Sequence, residues 1–204
     1  RPEAHGPQWG DDRYHIFPTV PPELYGLRPG FQFNHDALVD LTLTKFIFRA
    51  FLSACEALGA EAKEETLIAE VREVLARFPE YPTAETPHGR VYAVAPGADP
   101  EIVQNTPDSV MTVFPGEDHG LHSPPEVFEL AANSYRRHRN EGGNDLVFLN
   151  LQGARLGLLD LEAGVRHGAH ATPRRGWATC RQTVLSAQRR TGATVGAQKC
   201  SELE

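Results

Sequence analysis

The chain has 204 residues, enough for one domain of ordinary size with its own core. Its 20 Lys+Arg stand against 27 Asp+Glu, a net charge of -7 that disfavours nucleic acid and anionic membrane as partners of the whole chain. No apolar run reaches the roughly 18 residues that a membrane helix needs, and Cys55, Cys180 and Cys200 have neither disulfide-scaffold nor zinc-pair spacing.

Residues 1–12 are polar and contain Gly and Pro, and they read as loop. Residues 13–35 are irregular and rich in Pro, Phe and Tyr. Within them Pro21 and Pro22 fix their own φ and push the preceding residue out of the helical region, so Glu23 is delivered on a stiff arm. A lone carboxylate held beside aromatic residues on such an arm suits acid/base chemistry.

A first helix is expected over residues 36–58. Leu41, Leu43, Phe46, Ile47, Phe48, Phe51 and Leu52 exceed one stripe, so this helix should be buried on several sides. Asp36 suits its positive end, and Asp36 and Asp40 read as a capping, solvated pair. Cys55 reads as core, and Gly59 as the stop. A second helix is expected over residues 62–78, with Leu67, Ile68, Val71, Val74, Leu75 and Phe78 on one stripe and Pro79 ending it. The short link between the two predicts an antiparallel pair.

Residues 79–124 are long and broken. Residues 90–94 and 110–114 each read as a short strand. Pro115-Gly116 then turns the chain into Glu117-Asp118-His119-Gly120-Leu121-His122, whose spacing matches no specific metal-ligand pattern; no metal or cofactor is expected. Ser123 with Glu126 three residues on, and Pro124-Pro125, mark the start of a third helix. It closes on Arg136-Arg137-His138-Arg139, cations at the negative end. After Asn140-Glu141-Gly142-Gly143, Asn144 reads as the cap of a fourth helix running to about residue 159, a second antiparallel pair.

The composition changes after residue 163. Residues 1–163 hold 13 Lys+Arg and 25 Asp+Glu, whereas residues 164–204 hold 7 and 2 and lack Phe, Ile and Tyr. Two parts are therefore expected, 1–163 and an atypical basic tail, 164–204, that is disordered or frame-shifted.

Motif order carries a resemblance. Phe17-Pro18-Thr19-Val20-Pro21-Pro22-Glu23, a long helix ending Ala54-Cys55-Glu56-Ala57-Leu58-Gly59, then Phe114-Pro115-Gly116, Ser123-Pro124-Pro125-Glu126-Val127-Phe128, and Arg139-Asn140-Glu141-Gly142-Gly143-Asn144 together resemble the six-hairpin glycosidases. Among these the chain most resembles the inverting α-L-fucosidase family, over about residues 13–163. The resemblance implies an all-α fold, helical hairpins forming part of an (α/α)6 toroid with long ordered loops and a short hairpin. It implies metal-free hydrolysis of a terminal α-L-fucoside or α-L-galactoside, with Glu23 as general acid and Glu141 as the base-side carboxylate. The family carries Asp where this chain has Glu141, and Gly-Trp-Ser where it has Asp145-Leu146-Val147.

The candidate substrate-binding residues are His15, Tyr25, Asn34, His119 and Asn144, and the expected partner is an oligosaccharide or glycoside. The resemblance further implies a longer parent protein, with a water-positioning Asn pair upstream of residue 1. The competing expectation is a non-catalytic carbohydrate-binding or structural helical-repeat fragment. Nothing in the chain assigns a compartment.

Overall fold

A computed structural model describes residues 9–139 and 145–158, all within one compact unit, Arg1–Leu158. The tail expected over 164–204 lies outside the described residues. The order of elements is a loop with a 3-10 turn at Pro29–Phe31, α1 (Leu38–Leu58), α2 (Glu65–Ala76), β1 (Thr83–Thr86), β2 (Gly89–Tyr92), a second 3-10 turn at Asp108–Val110, α3 (Pro125–Arg137) and α4 (Asp145–Arg155).

The described fold is mixed α/β, which corrects the all-α expectation. β1 and β2 form a two-stranded antiparallel sheet, with Thr83 opposite Tyr92 and Thr86 opposite Gly89. β1 escapes the sequence pattern because it is short and polar; its pairing, not its own side chains, makes it a strand. Thr86 closes the turn, its hydroxyl donating to Gly89 O at 2.7 Å while accepting the His88 N–H at 3.2 Å. Nor do the described helices form a partial (α/α)6 toroid. The hairpin packs on α3: the Tyr92 N–H donates to Ser134 Oγ at 2.8 Å, and the Ser134 hydroxyl donates onward to Leu130 O at 2.8 Å. α3 therefore packs on a β-hairpin, which an all-α toroid lacks.

Residues 110–114 are not a strand. The Asp108–Val110 turn continues into further turns, with Val113 N–H donating to Val110 O at 3.0 Å and Gly116 N–H to Met111 O at 2.9 Å. Gly116 explains the tightness: a Cβ there would lie 2.0 Å from Thr42 Cγ2 and 2.8 Å from Met111 O. Only a glycine lets this turn reach α1. α4 closes on α3 in the same way, since a Cβ on Gly153 would lie 2.3 Å from the Tyr135 hydroxyl oxygen.

The core gathers Leu38, Tyr92, Val110, Val113, Ala131 and Leu156, with Phe128, Leu130 and Tyr135 packed against it. α1 is divided along its length. Its first turns bury Leu38, Val39, Leu41 and Thr42, whereas Leu43, Phe46, Ile47 and Leu58 are exposed. The expected burial on several sides is thus confined, among the described residues, to the start of the helix and Cys55. Gly59 stops α1 as expected, in the left-handed conformation with its N–H on Cys55 O and Glu56 O. α3 has Pro125 in its first turn, as the sequence indicates, but Ser123 is no cap; its hydroxyl oxygen accepts the Gly120 N–H at 3.0 Å. Among the described residues no helix is long and apolar enough to cross a membrane.

Candidate functional site

The segment before α1 folds back over the N-terminal end of that helix. Three polar side chains hold it there. Asp36 sits outside the helix with φ 48° and is 4% exposed. Its carboxylate accepts the Ile16 N–H at 2.8 Å and faces His15 Nδ1 at 2.5 Å. Asn34 is fully buried, donating to Thr19 O at 3.2 Å and Gly26 O at 2.7 Å and accepting the Arg28 N–H at 2.8 Å. The Thr19 hydroxyl donates to Asp40, whose pKa burial raises. Asp36 and Asp40 are therefore not a solvated capping pair: both carboxylates are spent on the returning loop.

These ties fix a strained backbone. Asp12, Glu23, Tyr25, Phe31, Phe33 and Asp36 all have φ between 48° and 65°. For residues with a Cβ this region costs roughly 1–2 kcal/mol each, and bulky side chains adopt it only where the surroundings enforce it. The result is a groove of about 490 Å³ lined by Trp9, Phe17, Phe31, Phe33 and His35, with Gly30 and Gly97 in its wall. Trp9 stacks on His15 at 4.3 Å between centroids, and Phe17 meets Phe31 edge-on at 5.0 Å. Behind Trp9, His15 lies between two carboxylates, Asp36 on Nδ1 and Asp11 on Nε2 at 3.0 Å. Burial alone pushes the His15 pKa down, but the bonds to Asp36 and Asp11 outweigh it and raise it. His15 in turn holds the Asp11 carboxyl below its ordinary range.

The expected site residues separate in space. Glu23 is exposed at the top of its stiff arm and accepts a hydrogen bond from the Asn105 amide. Tyr25 packs on Phe33 at 4.5 Å, and its hydroxyl accepts the Asp99 N–H at 3.3 Å. Asn34 is in the interior of the same loop, and His15 supports the groove from behind. Glu141 and Asn144 lie outside the described residues.

His119 belongs to another cluster. It stacks on Tyr92 with a 12° interplanar angle, and the Tyr92 hydroxyl and Nδ1 share a hydrogen bond at 2.6 Å. Burial lowers the His119 pKa, which favours the neutral ring. Next to it Asp118 accepts from the Tyr81 hydroxyl at 2.8 Å and pairs with Arg49. Burial raises the Asp118 pKa, but the Arg49 and Tyr81 bonds override it and the net shift is down. Burial raises the Tyr81 and Tyr92 pKa values, with the Asp118 charge adding to the effect. Among the described residues no three His, Cys, Asp or Glu side chains are grouped to hold a metal ion.

Sequence reasoning missed Trp9, Phe31 and Phe33 as groove residues, and Lys45, Arg49 and Tyr81 as neighbours of His119. The density of aromatic residues between positions 9 and 33 was the available signal for the first set. For the second, Lys45 and Arg49 stand four apart on one helix face. No protein-family model, curated protein or solved structure matches the chain.

Proposed function

We propose that the chain is part of a glycoside hydrolase, and that the loop before α1 supplies its sugar-contacting face. The observation that carries this reading is the aromatic groove. The C–H faces of a pyranose carry partial positive charge, and aromatic faces present the negative side of a quadrupole, so Trp9, Phe31 and Phe33 offer stacking surface in a concave site. A terminal α-L-fucoside or α-L-galactoside suits it, since their deoxy or hydroxymethyl edge adds apolar contact.

Glu23 is the proposed general acid, protonating the leaving oxygen, with Glu141 assisting water on the opposite face. Inversion requires the two carboxyl groups roughly 6.5–9.5 Å apart. The left-handed backbone at Glu23 and the Asn105 amide fix the direction of its carboxylate.

The experiment is turnover of an aryl α-L-fucoside by the protein and by its Glu23→Gln variant, with sugar binding measured on both. The reading expects turnover to fall by at least about 100-fold, the scale of a lost general acid, while binding persists. Binding without turnover in the wild type would instead identify a non-catalytic carbohydrate-binding unit.

A further inference from the structure

From Leu43 onward, one face of α1 is exposed and uncharged. Leu43, Phe46, Ile47, Ala50, Ala54 and Ala57 recur at spacings of three and four, so they form one stripe along the helix. Leu43 and Phe46 are each 38% exposed and Ile47 is 59% exposed, and the three alanines are exposed as well. The stripe is graded, bulky in its first half and small in its second. Two charges flank it. Arg49 and Glu56 are seven residues apart and therefore lie on the same edge, one before Ala50 and one before Ala57. Arg49 gives one guanidinium nitrogen, Nη1, to Asp118. Glu56 is exposed, and among the described residues its carboxylate makes no ion pair.

We propose that this face binds a second copy of the chain, as an antiparallel pair of α1 helices about a two-fold axis near Phe51. Such an axis makes one patch serve both sides of the interface. It sets Phe46 against the partner's Ala57 and Ala50 against the partner's Ser53. Bulky then meets small at both ends, and the seam packs evenly. A parallel pair would set Phe46 on Phe46 and Ala57 on Ala57, holding the helices apart at one end and leaving a gap at the other.

Charge selects the same direction. In an antiparallel pair the edge carrying Arg49 and Glu56 meets its own copy in reverse order. Arg49 then faces the partner's Glu56, and Glu56 the partner's Arg49. In a parallel pair that edge meets the side of Ile47 and Ala54, which carry no charge. Exposed ion pairs add little affinity, but they fix register. Residues 164–204 suit this face less well. They lack Phe, Ile and Tyr, whereas α1 itself supplies Phe46 and Ile47 for the alanine half.

The test is sedimentation velocity of the whole chain from about 1 to 200 µM, a range spanning the micromolar dissociation constants of small interfaces. The monomer is expected to pass into a dimer. Ile47→Glu puts an unpaired charge into the seam and should weaken the dimer at least about 100-fold. Glu56→Arg sets like charges opposite each other at both edges and should weaken it about 3- to 10-fold. Both positions are exposed in a single copy, so neither substitution disturbs the fold, which circular dichroism checks. A monomer throughout, as cover by residues 159–204 would give, overturns the proposal. So does a dimer that Ile47→Glu leaves intact, which would use another face. A dimer that Glu56→Arg leaves unchanged or strengthens also overturns it, since a parallel pair predicts no loss.

Discussion

Asn34 spends its amide inside the loop, bridging Thr19, Gly26 and Arg28. Asn34→Ala leaves the half-buried Arg28 N–H and two carbonyls short of partners, so it should cost about 1–3 kcal/mol in urea unfolding. His15 gives a pH signature. Its folded pKa is raised, so its contribution is fully present below the unfolded value of about 6.5 and is lost as pH rises through the folded pKa. The stability difference between wild type and His15→Gln should shrink from pH 6 towards pH 9. His119 has the opposite sign. Its folded pKa is lowered, so its contribution is present above about pH 6.5 and is lost as pH falls through the folded value. Urea midpoints of the wild type, His15→Gln and His119→Gln from about pH 4 to about pH 9 check the two directions.

Elements follow local rules where the rule is local. Gly59 ends α1 and Pro125 opens α3, and both are legible because a left-handed stop and a fixed φ act within one turn of helix. Asp36 was not legible. An acid before a helix suggests a cap, and nothing nearby in sequence reveals that residues 15 and 16 return to claim its carboxylate. Residues 110–114 look like a strand by their β-branched, apolar run. The close approach of Gly116 to Thr42 winds them into turns instead, and that is a tertiary contact. Gly116→Ala should destabilise by about 1–3 kcal/mol, as overpacking does. Thr42→Ser removes only one of the two collisions, so it should relieve part of that loss. The divided burial of α1 gives a matched pair: Leu38→Ala should cost about 2–5 kcal/mol, and Ile47→Ser, at an exposed site, within about 0.5 kcal/mol.

At the scale of the molecule, the candidate site is a loop pinned to the end of a helix, not a rim of stacked hairpins. The motif order pointed to Glu23 and its stiff arm, but not to the groove, because Trp9, Phe17, Phe31 and Phe33 are separated in sequence and meet only in the folded loop. A glycosidase function therefore requires the groove to take sugar. Titration of methyl α-L-fucoside into wild type and Trp9→Ala, followed by NMR shifts of the protein, tests this most directly. Saturable binding that weakens by about 10-fold or more without Trp9, equivalent to at least 1.4 kcal/mol of stacking, is the result expected. Binding of equal strength in both proteins, or none in the wild type, would contradict it.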